Sequence, residues 1–155
     1  MHLAPQTVRT FFVTGSTWGR RNILQSDRMA DLLVRVCLEY REKKKFQLHE
    51  FVLMPDHFHM IITPAADIPL EKAVQFIKGG FSFRAKKELG WGGEVWSSGF
   101  SEHRIKDADD YRNHREYIFR NPVKRGLAGV PEEYVHSSAS RRYELDEAPP
   151  ALKRE

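Results

Sequence analysis

The chain has 155 residues, 41% apolar and 30% charged, which suffices for one domain with a real hydrophobic core and is short for two. It contains no apolar run of the roughly 18 residues a membrane span needs, and its first residues lack the charged start and apolar stretch of a secretory signal. One cysteine, Cys37, excludes a disulfide framework and fits a reducing cytoplasm, while the net charge of +4, distributed as +6 over residues 1–130 and −2 over 131–155, favours a polyanionic partner.

In chain order, VRTFFVTGST (8–17) is β-branched and aromatic and ends at Gly15 and a polar turn, the pattern of a first strand. SDRMADLLVRVCLEYREKKK (26–45) places Met29, Leu32, Leu33, Val36 and Tyr40 at helical spacing. Ser26 or Asp27 can cap this helix, and its closing lysines suit the negative pole of the dipole. FQLHEFVLM (46–54) and HFHMIIT (57–63) read as strands joined by a Pro55-Asp56 turn, an antiparallel hairpin. LEKAVQFIKGGFSFRAKKELG (70–90) predicts a second helix stopped by Gly90, with Gly79 and Gly80 offering either a kink or a close backbone approach. EVWSSGFSEHRI (94–105) has strand-like ends around a Ser-Ser-Gly break. DADDYRNHREYIFRN (107–121) is a third helix, opened by acidic residues and closed near Pro122. Residues 1–138 are then the domain. Residues 139–155, with DEAPPALKRE among them, read as a flexible tail.

The order β-α-β-β-α-β plus one helix is α+β: the ferredoxin-like split β-α-β arrangement, an antiparallel sheet with two helices on one face and an additional C-terminal helix. Within it, His57 and His59 stand two apart on a strand and share a face, with Phe58, Met60 and Ile62 on the other. Two imidazoles at this spacing can hold one divalent cation through neutral ring nitrogens. A bare pair is short and common, and reads more readily as one hydrogen-bonded and one exposed histidine. Tyr117 and Asn121 stand four apart on the third helix and project from one side of it. The Asn carbonyl is a hard ligand that suits Mg²⁺ or Mn²⁺ beside imidazole. Alternatively, Tyr117 packs in the core and Asn121 caps the helix end.

Taken together, HEFVLMPDHFHMIITP (49–64), FIKGGFSFRAKKELG (76–90), VWSSGFSEHRI (95–105) and YIFRNPVKRGLAGVPEEYVHSS (117–138) resemble, in order, the signature blocks of the IS200-like single-tyrosine HUH transposases. Within that family the pattern is most similar to the REP-associated tyrosine transposases, which often carry Asn rather than Gln after the nucleophile. Asp56 departs from the family, which often has Asn before the first histidine. The resemblance implies metal-dependent cleavage and rejoining of single-stranded, hairpin-containing DNA. Tyr117 would be the nucleophile, the intermediate a 5′-phosphotyrosine, and His57, His59 and Asn121 the ligands of Mg²⁺ or Mn²⁺. Lys78, Arg84, Lys86 and Lys87 on the second helix, and Arg120, Lys124 and Arg125 after the tyrosine, would contact phosphates. Arg20 and Arg21, with Trp18, would grip or stack an unpaired base. The expected partner is single-stranded or hairpin DNA, without a membrane, for a monomer or homodimer. The rival readings are a hairpin-binding module that no longer cuts, and a metal hydrolase using water.

Overall fold

In the computed structural model, which describes residues 9–153, strand β1 (Phe11–Ser16) leads to helix α1 (Asp27–Glu42) and the hairpin β2 (Phe46–Met54) and β3 (His57–Pro64). Helix α2 (Leu70–Leu89), strand β4 (Ser101–Arg104) and helix α3 (Ala108–Lys124) follow. Residues 1–8, 154 and 155, which the expected domain, first strand and tail include, lie outside the described residues. The strands form one sheet in the order β2-β3-β1-β4, each neighbouring pair antiparallel. This is the α+β arrangement expected from the element order. Its central pair sets Thr14 opposite His59 and Ser16 opposite His57.

Alternation along β3 divides the molecule into two layers. Phe58, Met60 and Ile62 pack with Val13, Leu48, Phe51 and Leu53 beneath Leu33, Val36 and Cys37 of α1 and Val74, Ile77 and Phe81 of α2. Each large apolar side chain withdrawn from water in this way contributes about 1.5–3 kcal/mol. On the other face, Ile61 joins Val52, Met54, Ile105 and Leu152 under Tyr111 and Ile118 of α3. The side of the sheet that α1 and α2 leave open is therefore covered by α3, the helix that carries Tyr117.

Two glycines allow close packing. Gly15 lies opposite Phe58, and a Cβ there would stand 2.5 Å from the phenyl ring. A Cβ on Gly80 would stand 2.9 Å from the ring of Tyr40 on α1. Of the two uses foreseen for the Gly79-Gly80 pair, close approach is the one realised, and α2 is continuous from Leu70 to Leu89.

Three expectations need correction. Helix α3 does not close before Pro122 but continues to Lys124. Proline removes one hydrogen bond, to the carbonyl four residues back, and burial of Ile118, Asn121 and Pro122 holds the turn regardless. The strand foreseen over 94–105 is confined to Ser101–Arg104, preceded by a lone bridge between Thr17 and Trp96. The segment after 138 is packed as far as it is described. The Tyr143 and Phe51 rings lie 5.1 Å apart, and Leu152 is buried in the α3 cluster. Asp146 Oδ2 accepts from Arg41 Nε at 2.8 Å and from the Leu48 N–H at 2.9 Å. Among the described residues, no helix is long and apolar enough to cross a membrane.

Candidate active site

His57 opens β3 and His59 follows on the same side, with ring centroids 4.8 Å apart and edge to face. Both Nδ1 atoms are engaged: His57 with Asp56 Oδ1 at 2.7 Å, and His59 with Thr14 Oγ1 at 2.7 Å. An ionised carboxylate only accepts, so Nδ1 of His57 carries the hydrogen and its Nε2 keeps a lone pair. His59 Nε2 is buried and has no hydrogen-bond partner among the described residues. Buried polar atoms are nearly always satisfied, so this nitrogen is the one open to a ligand. Burial, reinforced by the nearby His57, Arg20 and Arg125, lowers His59 to about 3. Burial also lowers His57, against the pull of Asp56. Both shifts favour the neutral imidazole, the form that ligates a metal. Two neutral imidazoles on one strand face could hold a divalent cation.

Helix α3 supplies the other two residues. The Tyr117 ring stands edge-on to His59 at 5.2 Å, and the residue is 50% exposed. Asn121 is buried one turn further along. Phe12 of β1 stacks on His59 at 5.1 Å and meets Tyr117 edge-on at 6.0 Å, so the three rings pack against one another. The structure therefore brings His57, His59 and Tyr117 together on one face, with Asn121 buried on the same helix.

A neighbouring group was not foreseen. His103 of β4 and Asp110 and His114 of α3 hold their ligand-type atoms within 4.8 Å of one another, a candidate metal triad. Asp110 Oδ2 accepts from His103 Nε2 and from the Lys106 N–H, each at 2.8 Å. The two imidazoles stack at 4.6 Å with 19° between their planes. Lone pairs of stacked rings run side by side, so joint ligation would require one ring to turn. His114 also packs on Phe12 at 4.7 Å, which joins this group to the Tyr117 cluster. The spacing of Asp110 and His114 on one helical face was a visible signal, whereas the approach of His103 required the fold.

The basic residues separate into two sets. Arg20 donates from Nε to Asp56 Oδ2 at 3.0 Å, and Arg125 Nη2 lies 3.8 Å from Oδ1. Burial pushes the Asp56 carboxyl up, but His57 and Arg20 outweigh it and hold it below the usual range. Trp18 and Arg21 are exposed on the turn that carries Arg20, and Arg120 and Lys124 are exposed at the end of α3. The α2 residues are differently placed. Lys78 donates to the Ser97 carbonyl at 3.0 Å and to that of Gly99 at 2.7 Å, and Arg84 pairs with Glu39 and Glu88. Lys87 lies over the Phe83 ring at 5.7 Å. Helix α2, which carries Lys78, Arg84 and Lys87, packs on the sheet face opposite to Tyr117.

Residues 12–121 match the family described as Transposase IS200 like. Over 141 residues the chain is 29% identical to the REP-associated tyrosine transposase of Escherichia coli K12, spanning 86% of this chain and 82% of that protein. The solved structure of a REP-associated tyrosine transposase bound to a REP hairpin is similar with a TM-score of 0.72 and 26% identity, covering 100% of this chain and 99% of that one.

Proposed function

This chain belongs to the family of IS200-like transposases, and on that premise we propose that it cuts and rejoins single-stranded, hairpin-containing DNA through Tyr117, with His57, His59 and Asn121 holding Mg²⁺ or Mn²⁺. One observation carries the reading: a half-exposed phenol stands 5.2 Å from the ring of a histidine whose Nε2 is buried without a protein partner. A relative of like fold is solved with a REP hairpin, which supports a DNA hairpin as the substrate class.

The chemistry follows from the residue types. When bound, the cation supplies positive charge to the scissile phosphate. The phenolic oxygen of Tyr117 attacks phosphorus in line, a P–O bond to tyrosine forms, and the bond to the 3′-oxygen breaks. The phenol gives up its proton, the departing oxygen gains one, and the strand leaves with a free 3′-OH. Because one phosphodiester is exchanged for another, a later 3′-OH can reverse the step and join strands. The exposure of Tyr117 suits a nucleophile that must meet a polymer. Arg20, Arg21 and Trp18 on one flank, and Arg120, Lys124 and Arg125 on the other, would position the strand by phosphate contact and base stacking.

A labelled hairpin oligonucleotide on a denaturing gel tests this. With Mg²⁺ or Mn²⁺, the parent should give a cut strand and a protein-linked band. The Tyr117→Phe and His59→Ala variants should give neither. A parent that binds the hairpin but never cuts would overturn the enzymatic reading in favour of a binding module.

A further inference from the structure

Asp56 closes the turn between β2 and β3, immediately before the first histidine. Its carbonyl accepts from the Thr17 N–H and from Thr17 Oγ1, each at 3.0 Å, which pins the turn to the end of β1. Its side chain is 14% exposed and divides its two oxygens. Oδ1 accepts from His57 Nδ1 at 2.7 Å and faces Arg125 Nη2 at 3.8 Å, while Oδ2 accepts from Arg20 Nε and Nη2, each at 3.0 Å. One carboxylate thus joins a strand histidine to two guanidinium groups, one from the turn after β1 and one from the end of α3.

We infer that Asp56 is a positioning residue: it locks His57 in the tautomer that leaves Nε2 free, and it holds Arg20 and Arg125 beside that site. The inference rests on the reading of His57 as a metal ligand. Neutral imidazole has two tautomers of similar energy, and an acceptor at Nδ1 selects the one with a free Nε2. Thr14 cannot impose this on His59 by itself, because a hydroxyl both donates and accepts. Asp56 also offsets charge. Two guanidinium groups beside a divalent cation would repel it, and the carboxylate between them reduces that repulsion. The two roles are separable. Asn at position 56 could still accept from Nδ1 through Oδ1, but it carries no charge to hold the arginines.

The test compares the parent with Asp56→Ala and Asp56→Asn in two measurements. Long-range ¹H–¹⁵N correlation spectra of the metal-free proteins should show His57 protonated at Nδ1 in the parent and in Asp56→Asn. In Asp56→Ala the hydrogen should be redistributed toward Nε2. Calorimetric titration with Mn²⁺ should show affinity about 10–100-fold weaker in Asp56→Ala and only partly restored in Asp56→Asn, which keeps the acceptor but not the charge. Asp56→Asn keeps the shape and the acceptor, which guards against a result due to misfolding alone. An unchanged His57 tautomer in Asp56→Ala, with parental Mn²⁺ affinity, would overturn the inference and leave the metal reading intact. A parent that does not bind Mn²⁺ would overturn the metal reading, and the tautomer spectra would still judge the role of Asp56.

Discussion

Replacing Asp146 by Ala tests whether the last described residues are part of the folded body. The carboxylate accepts from Arg41 Nε at 2.8 Å, from Arg41 Nη2 at 3.1 Å and from the Leu48 N–H at 2.9 Å. Arg41 and Asp146 are only 16% and 22% exposed, so the pair is better shielded than a surface ion pair. Truncation strands the Leu48 N–H and leaves Arg41 only its pair with Glu42 at 3.0 Å, and a loss of about 3 kcal/mol follows from typical costs of such groups. For a domain of this size that corresponds to a fall in Tm of about 6–12 °C. The pH dependence has a definite sign. Burial pushes the Asp146 carboxyl up, but Arg41 and the Leu48 N–H outweigh it and hold it below the ordinary range. A group depressed in the folded state stabilises fully above its unfolded pKa, about 3.9, and the stabilisation is lost as pH falls through the folded value. Thermal melts followed by circular dichroism should therefore show a constant gap between parent and variant at neutral pH, narrowing below about pH 4. A variant that melts within about 1 °C of the parent at every pH would refute the docking of this segment.

Other substitutions probe the core and the site. Gly15→Ala forces a Cβ against the Phe58 ring and should lower stability by about 1–3 kcal/mol, with partial recovery when Phe58→Leu is added, both read from denaturant melts. Trp18→Ala removes a half-exposed indole and should leave the melt unchanged while weakening hairpin binding about 5- to 150-fold, the loss of one stacked base, measured by fluorescence anisotropy. Tyr117→Phe should melt with the parent, because a half-exposed hydroxyl adds little to stability, and a drop beyond about 1 kcal/mol would mean that the phenol is structural.

The sequence was most informative where a local pattern coincided with burial. The two-residue period of a strand placed both histidines of HFHMIIT on one face, and the structure keeps that division between the Ile61 and Met60 layers. Helix α3 shows where local rules stop. The bias against helical angles before proline acts on Asn121 alone, whereas the burial of Ile118 and Pro122 acts on the whole turn and prevails. The 139–153 segment was hidden for a related reason. Its anchors are scattered residues, Tyr143, Asp146 and Leu152, and the partner of Asp146 on α1 lies 105 positions away, so no periodicity reports it. Asp56 was legible as a turn residue, and its grip on His57 became visible only once the backbone placed the carboxylate beside Nδ1.

The central claim is that the imidazoles of β3 and the phenol of α3 serve one reacting phosphate, and mapping a covalent adduct tests it most directly. A hairpin substrate nicked so that the short upstream fragment, released with a free 3′-OH, diffuses away should trap the enzyme. Tryptic digestion then isolates residues 116–120, EYIFR, in which Tyr117 is the only tyrosine. The account predicts a nucleotide mass on that peptide, dependent on added Mg²⁺ or Mn²⁺ and absent from His57→Ala. Efficient cleavage with this peptide unmodified, or an adduct on another residue, would contradict it.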